Sequence, residues 1–175
     1  MERIAKLSRR MQLACLIIAV FVVVNEIATW IFFETMAPLS GTLSDVPYQV
    51  EYLSWRNLVA GFLISGALAA ILVYGLYRLW LLFGLYGGGL IFSGQAVEQL
   101  HRFARALLLY AILSIPAETL LVLALTISNP VGEREIQIGI SSFEISMLVL
   151  GAVFLIISWV MREATRIADD NAQIV

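Results

Sequence analysis

Four long apolar runs decide what this chain can fold into. Residues 11–33, 57–83, 104–127 and 141–161 are almost free of charge. A helix rises 1.5 Å per residue, so about 20 residues cross a hydrocarbon core of about 30 Å. Each run is long enough, and in lipid a backbone satisfies its own polar groups only as a helix or a closed barrel. The expectation is an all-α integral membrane protein, a four-transmembrane-helix bundle in one domain. Composition agrees, with 61% of residues hydrophobic and 14% charged, against about 45–50% and about 25% in a soluble domain. The net charge of −2 says little about partners, because the two signs are segregated along the chain.

The runs divide the chain into a tail (1–10), an outer loop (34–56), a junction (84–103), a second outer loop (128–140) and a tail (162–175). The start, MERIAKLSRRMQLACLIIAVFVVV, has the basic opening and apolar core of a signal peptide. The apolar run continues through NEIATWIFF without a convincing cleavage site, so it reads as a retained anchor. Cys15 lies ahead of the apolar stretch, against a lipoprotein signal, and one cysteine allows no intrachain disulfide. A packed thiol is expected there. Arg3, Lys6, Arg9, Arg10, Arg78, Arg102, Arg105, Arg162 and Arg166 fall on one side, and only Arg56 and Arg134 on the other. Excess Lys and Arg marks the cytoplasmic face, so both termini are expected in the cytoplasm, with the chain in a cell inner membrane.

Gly61, Ser65 and Ala69 recur at a spacing of four in the second run, where small residues let helix backbones approach. Tyr74, Tyr77, Arg78 and Trp80 suit an interfacial belt. The outer loops end in YQVEYLSW and EREIQIGI, which alternate polar and apolar residues. That period predicts two short strands forming a small extracytoplasmic β cap. The junction GGGLIFSGQAVEQLHRFAR lacks the lysine and hydroxyl of a phosphate loop. Its glycines are expected to end the second helix. Ser93 is expected to cap the next, with Phe92 and Val97 as a hydrophobic staple. Val97, Leu100, Phe103/Ala104 and Leu107 then define one apolar face, predicting an amphipathic helix that lies at the inner interface and runs into the third span.

This junction and the C-terminus resemble a family of uncharacterised bacterial four-span membrane proteins. The resemblance is carried by Gly89, Ile91, Phe92 and Ser93, then Val97 and Leu100, and by Asp169, Asp170, Asn171 and the closing Ile174 and Val175. Gln173 stands where that family has threonine, and Asp170 where it has glutamate. Genes of the family often neighbour small Cro-type helix-turn-helix regulators, which implies a regulatory partner at the membrane.

Asn25, Glu26, Glu118 and Glu144 lie within or beside the apolar runs. An intramembrane carboxylate is costly and marks a polar network or a binding site. Counting residues from the inner ends puts all three glutamates in the outer leaflet, with Arg56 as the expected counter-charge. Pro116 frees the carbonyl of Ile112 nearby. The cluster reads either as a network fixing helix register or as a pocket for a proton or hard cation. His101 is the only histidine, so no multi-histidine metal site or catalytic triad can be built, and a solvated position is expected for it. No catalytic residue, metal or cofactor is expected, and no direct nucleic-acid contact. The expected function is a non-enzymatic regulatory or interaction role through the cytoplasmic surface of Ser93, Glu98, His101, Arg102, Asp169, Asp170 and Asn171. The alternative is a small transporter or sensor that uses the acidic cluster. Beyond the bilayer and such a regulator, self-association is the remaining expected partner class.

Overall fold

The computed structural model describes residues 2–40, 43, 46–130, 134, 136 and 142–172, the side chains of 2 and 168–172 excepted. Five α-helices form among them: α1 (Glu2–Ile31), a single turn α2 (Phe33–Met36), α3 (Trp55–Gly87), α4 (Gly94–Thr126) and α5 (Ser142–Ala172). Four of these are long and apolar enough to cross a membrane. They run to 30, 33, 33 and 31 residues, or about 45–50 Å at 1.5 Å per residue. That exceeds a hydrocarbon core of about 30 Å, so each helix continues past the bilayer. Large apolar side chains such as Phe21 and Ile31, each 68% exposed, are consistent with a surface that meets lipid rather than water.

α1 packs on α3, α3 on α4 and α4 on α5, each pair antiparallel, whereas α1 and α5 make no extensive contact. One end of this row carries the start of α1 and the end of α5 (the termini end); the other carries the loops (the loop end). Glycines set the close approaches. A Cβ on Gly61 would lie 2.0 Å from Cη2 of Trp30, and one on Gly151 would lie 2.8 Å from Cγ of Leu108. Gly75 likewise meets Ala106 and Phe103. Without an excluded-water force between helices in lipid, such backbone-close packing holds the helices together.

At the loop end the chain folds back as a cap. Phe33, Ala37, Leu43 and Val46 are buried against Leu121, Val122 and Leu125 of α4, with Tyr48 and Leu53 beside them. No strand occurs among the described residues, which corrects the expected β cap for its first half; most of EREIQIGI lies outside the described residues. The stretch YQVEYLSW turns in on itself instead. Tyr52 N–H donates to Gln49 (3.1 Å) and Leu53 N–H to Val50 (3.2 Å), closing a 3₁₀ turn at Val50–Tyr52. Tyr48 and Leu53 pack on the cap while Val50 and Tyr52 stay exposed, so the alternating residues share no buried face.

At the termini end α3 finishes in a Schellman motif. Gly89 takes φ +83°, Leu90 N–H reaches Leu85 carbonyl (3.0 Å) and Gly89 N–H reaches Tyr86 carbonyl (3.1 Å). Ser93 caps α4, accepting from Ala96 N–H at 3.2 Å. Two expectations fail here. Phe92 is 78% exposed while Val97 is buried, so the staple is not made. The helix expected here does run unbroken into the third span, as the first turns of α4, but it does not lie on the interface. Its apolar face (Ala96, Leu100, Phe103, Leu107) is covered by Leu79, Leu82 and Leu85 of α3 and by Phe154 and Met161 of α5, so nothing remains to lay on a membrane surface.

Candidate functional site

The polar side chains inside the apolar runs converge toward the loop half of the bundle. Glu26, half-buried on α1, receives two hydrogen bonds on Oε1: 3.0 Å from Trp30 Nε1, one turn on, and 2.5 Å from Ser65 Oγ across the α1–α3 seam. The indole N–H is also 2.9 Å from Ser65 Oγ. The ring can sit there because Gly61, one turn from Ser65, has no side chain to meet it. The small-residue stripe therefore serves a polar purpose as well as a packing one. It opens the seam that lets an indole and a hydroxyl satisfy an intramembrane carboxylate.

On the other side of the row, Glu118 of α4 and Glu144 of α5 lie within electrostatic reach of each other, and Glu144 is only 2% exposed. Tyr110, two turns before Glu118 on α4, is within electrostatic reach of the three acids. Among the described residues no three His, Cys, Asp or Glu side chains are placed to hold a metal ion, so the glutamates do not form one ligand cage.

Two residues expected in this cluster lie elsewhere. Asn25 is exposed beside Glu26; consecutive helical residues point about 100° apart, so both cannot face the seam. Arg56 is exposed at the start of α3 with its guanidinium 5.8 Å over the Trp55 ring, and it pairs with no described carboxylate. Glu26 is satisfied by Ser65 and Trp30 instead. Sequence reading passed over Tyr110, Ser65 and Trp30 as partners, although Trp30 stands four residues from Glu26 and Ser65 lies in the small-residue stripe.

The termini end carries the charged groups. Glu98 accepts from Arg102 Nε at 2.7 Å on its own helix and from Arg162 Nη2 at 3.4 Å on α5. Such exposed pairs contribute little stability, about 0–1 kcal/mol, but they join the two helices' outer faces. His101, expected in solvent, is half-buried, with Nδ1 3.1 Å from Ser158 Oγ. Ser158 donates its own proton to Leu155 carbonyl at 2.7 Å, so the hydrogen-bond network assigns the imidazole proton to Nδ1. His101 is thus a tie between α4 and α5. Of the expected docking residues, Ser93, Glu98, His101 and Arg102 share the start of α4, and Asp169, Asp170 and Asn171 stand in the last turns of α5, their side chains outside the described set.

A family model described as a protein of unknown function, DUF2975, matches residues 40–175. It takes in α3, α4 and α5 but not α1, so Glu118 and Glu144 fall within the matched region and Glu26 outside it. No curated protein and no solved structure matches the chain. With well over half its length matched, the chain belongs to the DUF2975 family.

Proposed function

We propose that this DUF2975 protein is a non-enzymatic multi-pass membrane protein with a regulatory role, exercised through the surface that α4 and α5 build at the termini end. The observation that carries the reading is the Glu98 bridge to Arg102 and Arg162, which brings the start of α4 and the end of α5 onto one face. From Arg162, α5 continues to Ala172, about 15 Å, whereas α4 begins only about 6 Å beyond Glu98. The end of α5 therefore stands about 9 Å proud of α4, and it carries Asp169, Asp170 and Asn171. A projecting acidic helix end suits a basic partner, and a small helix-turn-helix regulator is the kind the family resemblance suggests. The Lys/Arg asymmetry supports placing this end in the cytoplasm. Self-association of the bundle is compatible with the same reading.

Two experiments test it. Cysteines introduced as Ser44→Cys and Glu133→Cys in a Cys15→Ser background should label only from outside the cell; labelling only from the cytoplasmic side refutes the orientation. Deleting residues 168–175 should abolish co-purification of a cytosolic helix-turn-helix regulator, and unchanged recovery removes the docking surface.

A second reading is favoured by Glu144, only 2% exposed, within electrostatic reach of Glu118. Acids enclosed within a membrane suit a proton-responsive sensor or a small transporter. Proteoliposomes should then show a proton flux that Glu118→Gln removes. Flux no greater than in empty vesicles ends the transporter version.

A further inference from the structure

Arg78 is the one basic residue well inside the length of α3, and its donors are poorly used. A guanidinium offers five N–H donors. The single hydrogen bond that Arg78 makes to another side chain is a long one, Nη1 to Gln99 Oε1 at 3.4 Å, and Nε is buried with no partner. None of the ion pairs among the described residues includes it. What holds it is aromatic: the guanidinium lies 4.7 Å from the Tyr74 ring and 5.6 Å from the Tyr77 ring. Tyr77 in turn stacks on Trp80 at 6.3 Å. The charge is fixed in direction while its remaining donors await an acceptor.

Its depth is set by the helix. The stretch from Arg56 to Arg78 rises about 33 Å, close to a hydrocarbon core of about 30 Å. With Arg56 at one surface, Arg78 lies at the headgroup level of the other. Tyr74, Tyr77 and Trp80 are 43%, 51% and 38% exposed around it, the placement that amphipathic rings take at a membrane interface. A second cation is near, because Arg102 stands one turn after Gln99 on the same helix. Glu98 does not cancel both, since it is shared between Arg102 and Arg162. Next to Gln99 an open-sided cavity of about 590 Å³ continues along the groove, lined by Gln95, Gln12 and Trp80 as well as Glu98.

We propose that this groove between α3 and α4 binds the phosphate headgroup of an anionic phospholipid, with Arg78 as its ligand, Gln99 and Arg102 beside it, and the acyl chains along the exposed face of α3. A planar guanidinium matches a phosphate by two parallel bonds. A zwitterionic headgroup brings its own cation into a site that already holds two, so the anionic lipid is selected. The site adjoins the docking surface above, sharing Arg102 with its edge, but rests only on the membrane placement of the helices.

The test uses the full chain, purified in detergent and reconstituted into nanodiscs of phosphatidylglycerol and phosphatidylcholine in equal parts. Native mass spectrometry then counts the lipid retained after detergent washing. The parent should keep phosphatidylglycerol over phosphatidylcholine, and Arg78→Gln should lower that preference about tenfold, the scale of one lost charge-assisted pair. Arg78→Lys should lower it about threefold, since it keeps the charge but loses the fork. That milder variant carries the test if Arg78→Gln does not fold, as judged by circular dichroism. Arg166→Gln, on exposed α5, should change nothing. Equal retention of the two lipids by the parent, undiminished preference in the Arg78 variants, or an equal loss in Arg166→Gln would overturn the site. Displacement by inorganic phosphate alone would also overturn it, assigning the groove to a free anion.

Discussion

Gly61→Ala sets two opposed effects against each other. Alanine is favoured over glycine inside a helix by about 1 kcal/mol, so in open space the substitution stabilises. At Gly61 the new Cβ would lie 2.0 Å from Cη2 and 2.6 Å from Cζ3 of Trp30, well inside contact distance. The indole cannot simply swing away, because Nε1 is tied to Glu26 at 3.0 Å and Ser65 at 2.9 Å. Relief therefore means giving up those bonds or moving α1 back from α3. Overpacking costs about 1–3 kcal/mol, and interhelical hydrogen bonds in a membrane contribute about 0.6 kcal/mol each. Less the propensity gain of about 1 kcal/mol, the expected net loss is about 1–3 kcal/mol. Unfolding in mixed micelles, followed by circular dichroism as the fraction of dodecyl sulfate rises, reads that loss. In a Trp30→Ala background the same change should turn stabilising, because the ring it strikes is gone. A Gly61→Ala protein as stable as the parent, or simple additivity of the two substitutions, would refute the reasoning.

Two further predictions use the same titration. Asn57→Ala removes bonds of 2.6 Å to Ala124 carbonyl, 3.2 Å from Ser54 N–H and 3.1 Å from Ser128 hydroxyl, and should cost about 1–3 kcal/mol. Asn57→Asp should be worse, as it sets a carboxylate against that carbonyl, and an Asp variant as stable as the parent counts against the bond. Gly89→Ala meets nothing within 4 Å, so its cost is that of a positive φ alone, about 1–2 kcal/mol, with Gly89→Asn milder. No loss in Gly89→Ala would show that the helix does not end in the left-handed residue.

The four long helices were legible because lipid leaves the backbone few alternatives, and an apolar run of 20 or more residues reports that directly. Their ends were less so. An apolar run marks the hydrocarbon, and backbone hydrogen bonding does not stop where the hydrocarbon does. α1 accordingly begins at Glu2, ahead of the apolar run, and α4 at Gly94. Glycine and serine gave the α3–α4 turn correctly because their signals are local: a left-handed residue at Gly89 and a hydroxyl cap at Ser93. Phe92 was misread because a staple depends on how the chain enters the helix, and the turn from Gly89 carries its ring outward. The first half of the cap failed for a related reason: alternation of residue type at Tyr48, Val50 and Tyr52 does not fix an extended backbone, and here the chain closes a 3₁₀ turn at Val50–Tyr52 instead.

The carboxylates show what helix geometry adds to counting. Residue counts give depth, and depth placed Glu26, Glu118 and Glu144 on one level without saying which way each pointed. Azimuth comes from neighbours one turn away. Asn25 and Glu26 compete for the same seam, and the sequence contains the deciding clue: Trp30 shares the face of Glu26, and Gly61 with Ser65 makes the facing stripe that can accept an indole and donate a hydroxyl proton. The same consideration removes Arg56. A cation at the first turn of α3 is two and a half turns from Ser65, so it can complement the acids in sign yet sit too far along the helix to meet Glu26. Tyr110 went unnoticed because a tyrosine in an apolar run passes for packing, and only its place two turns before Glu118 on the same helix brings it within reach of the acids. An acid inside the membrane is thus best read together with the residues four away on its own helix and with the small residues that face it, before any distant charge of opposite sign is assigned to it.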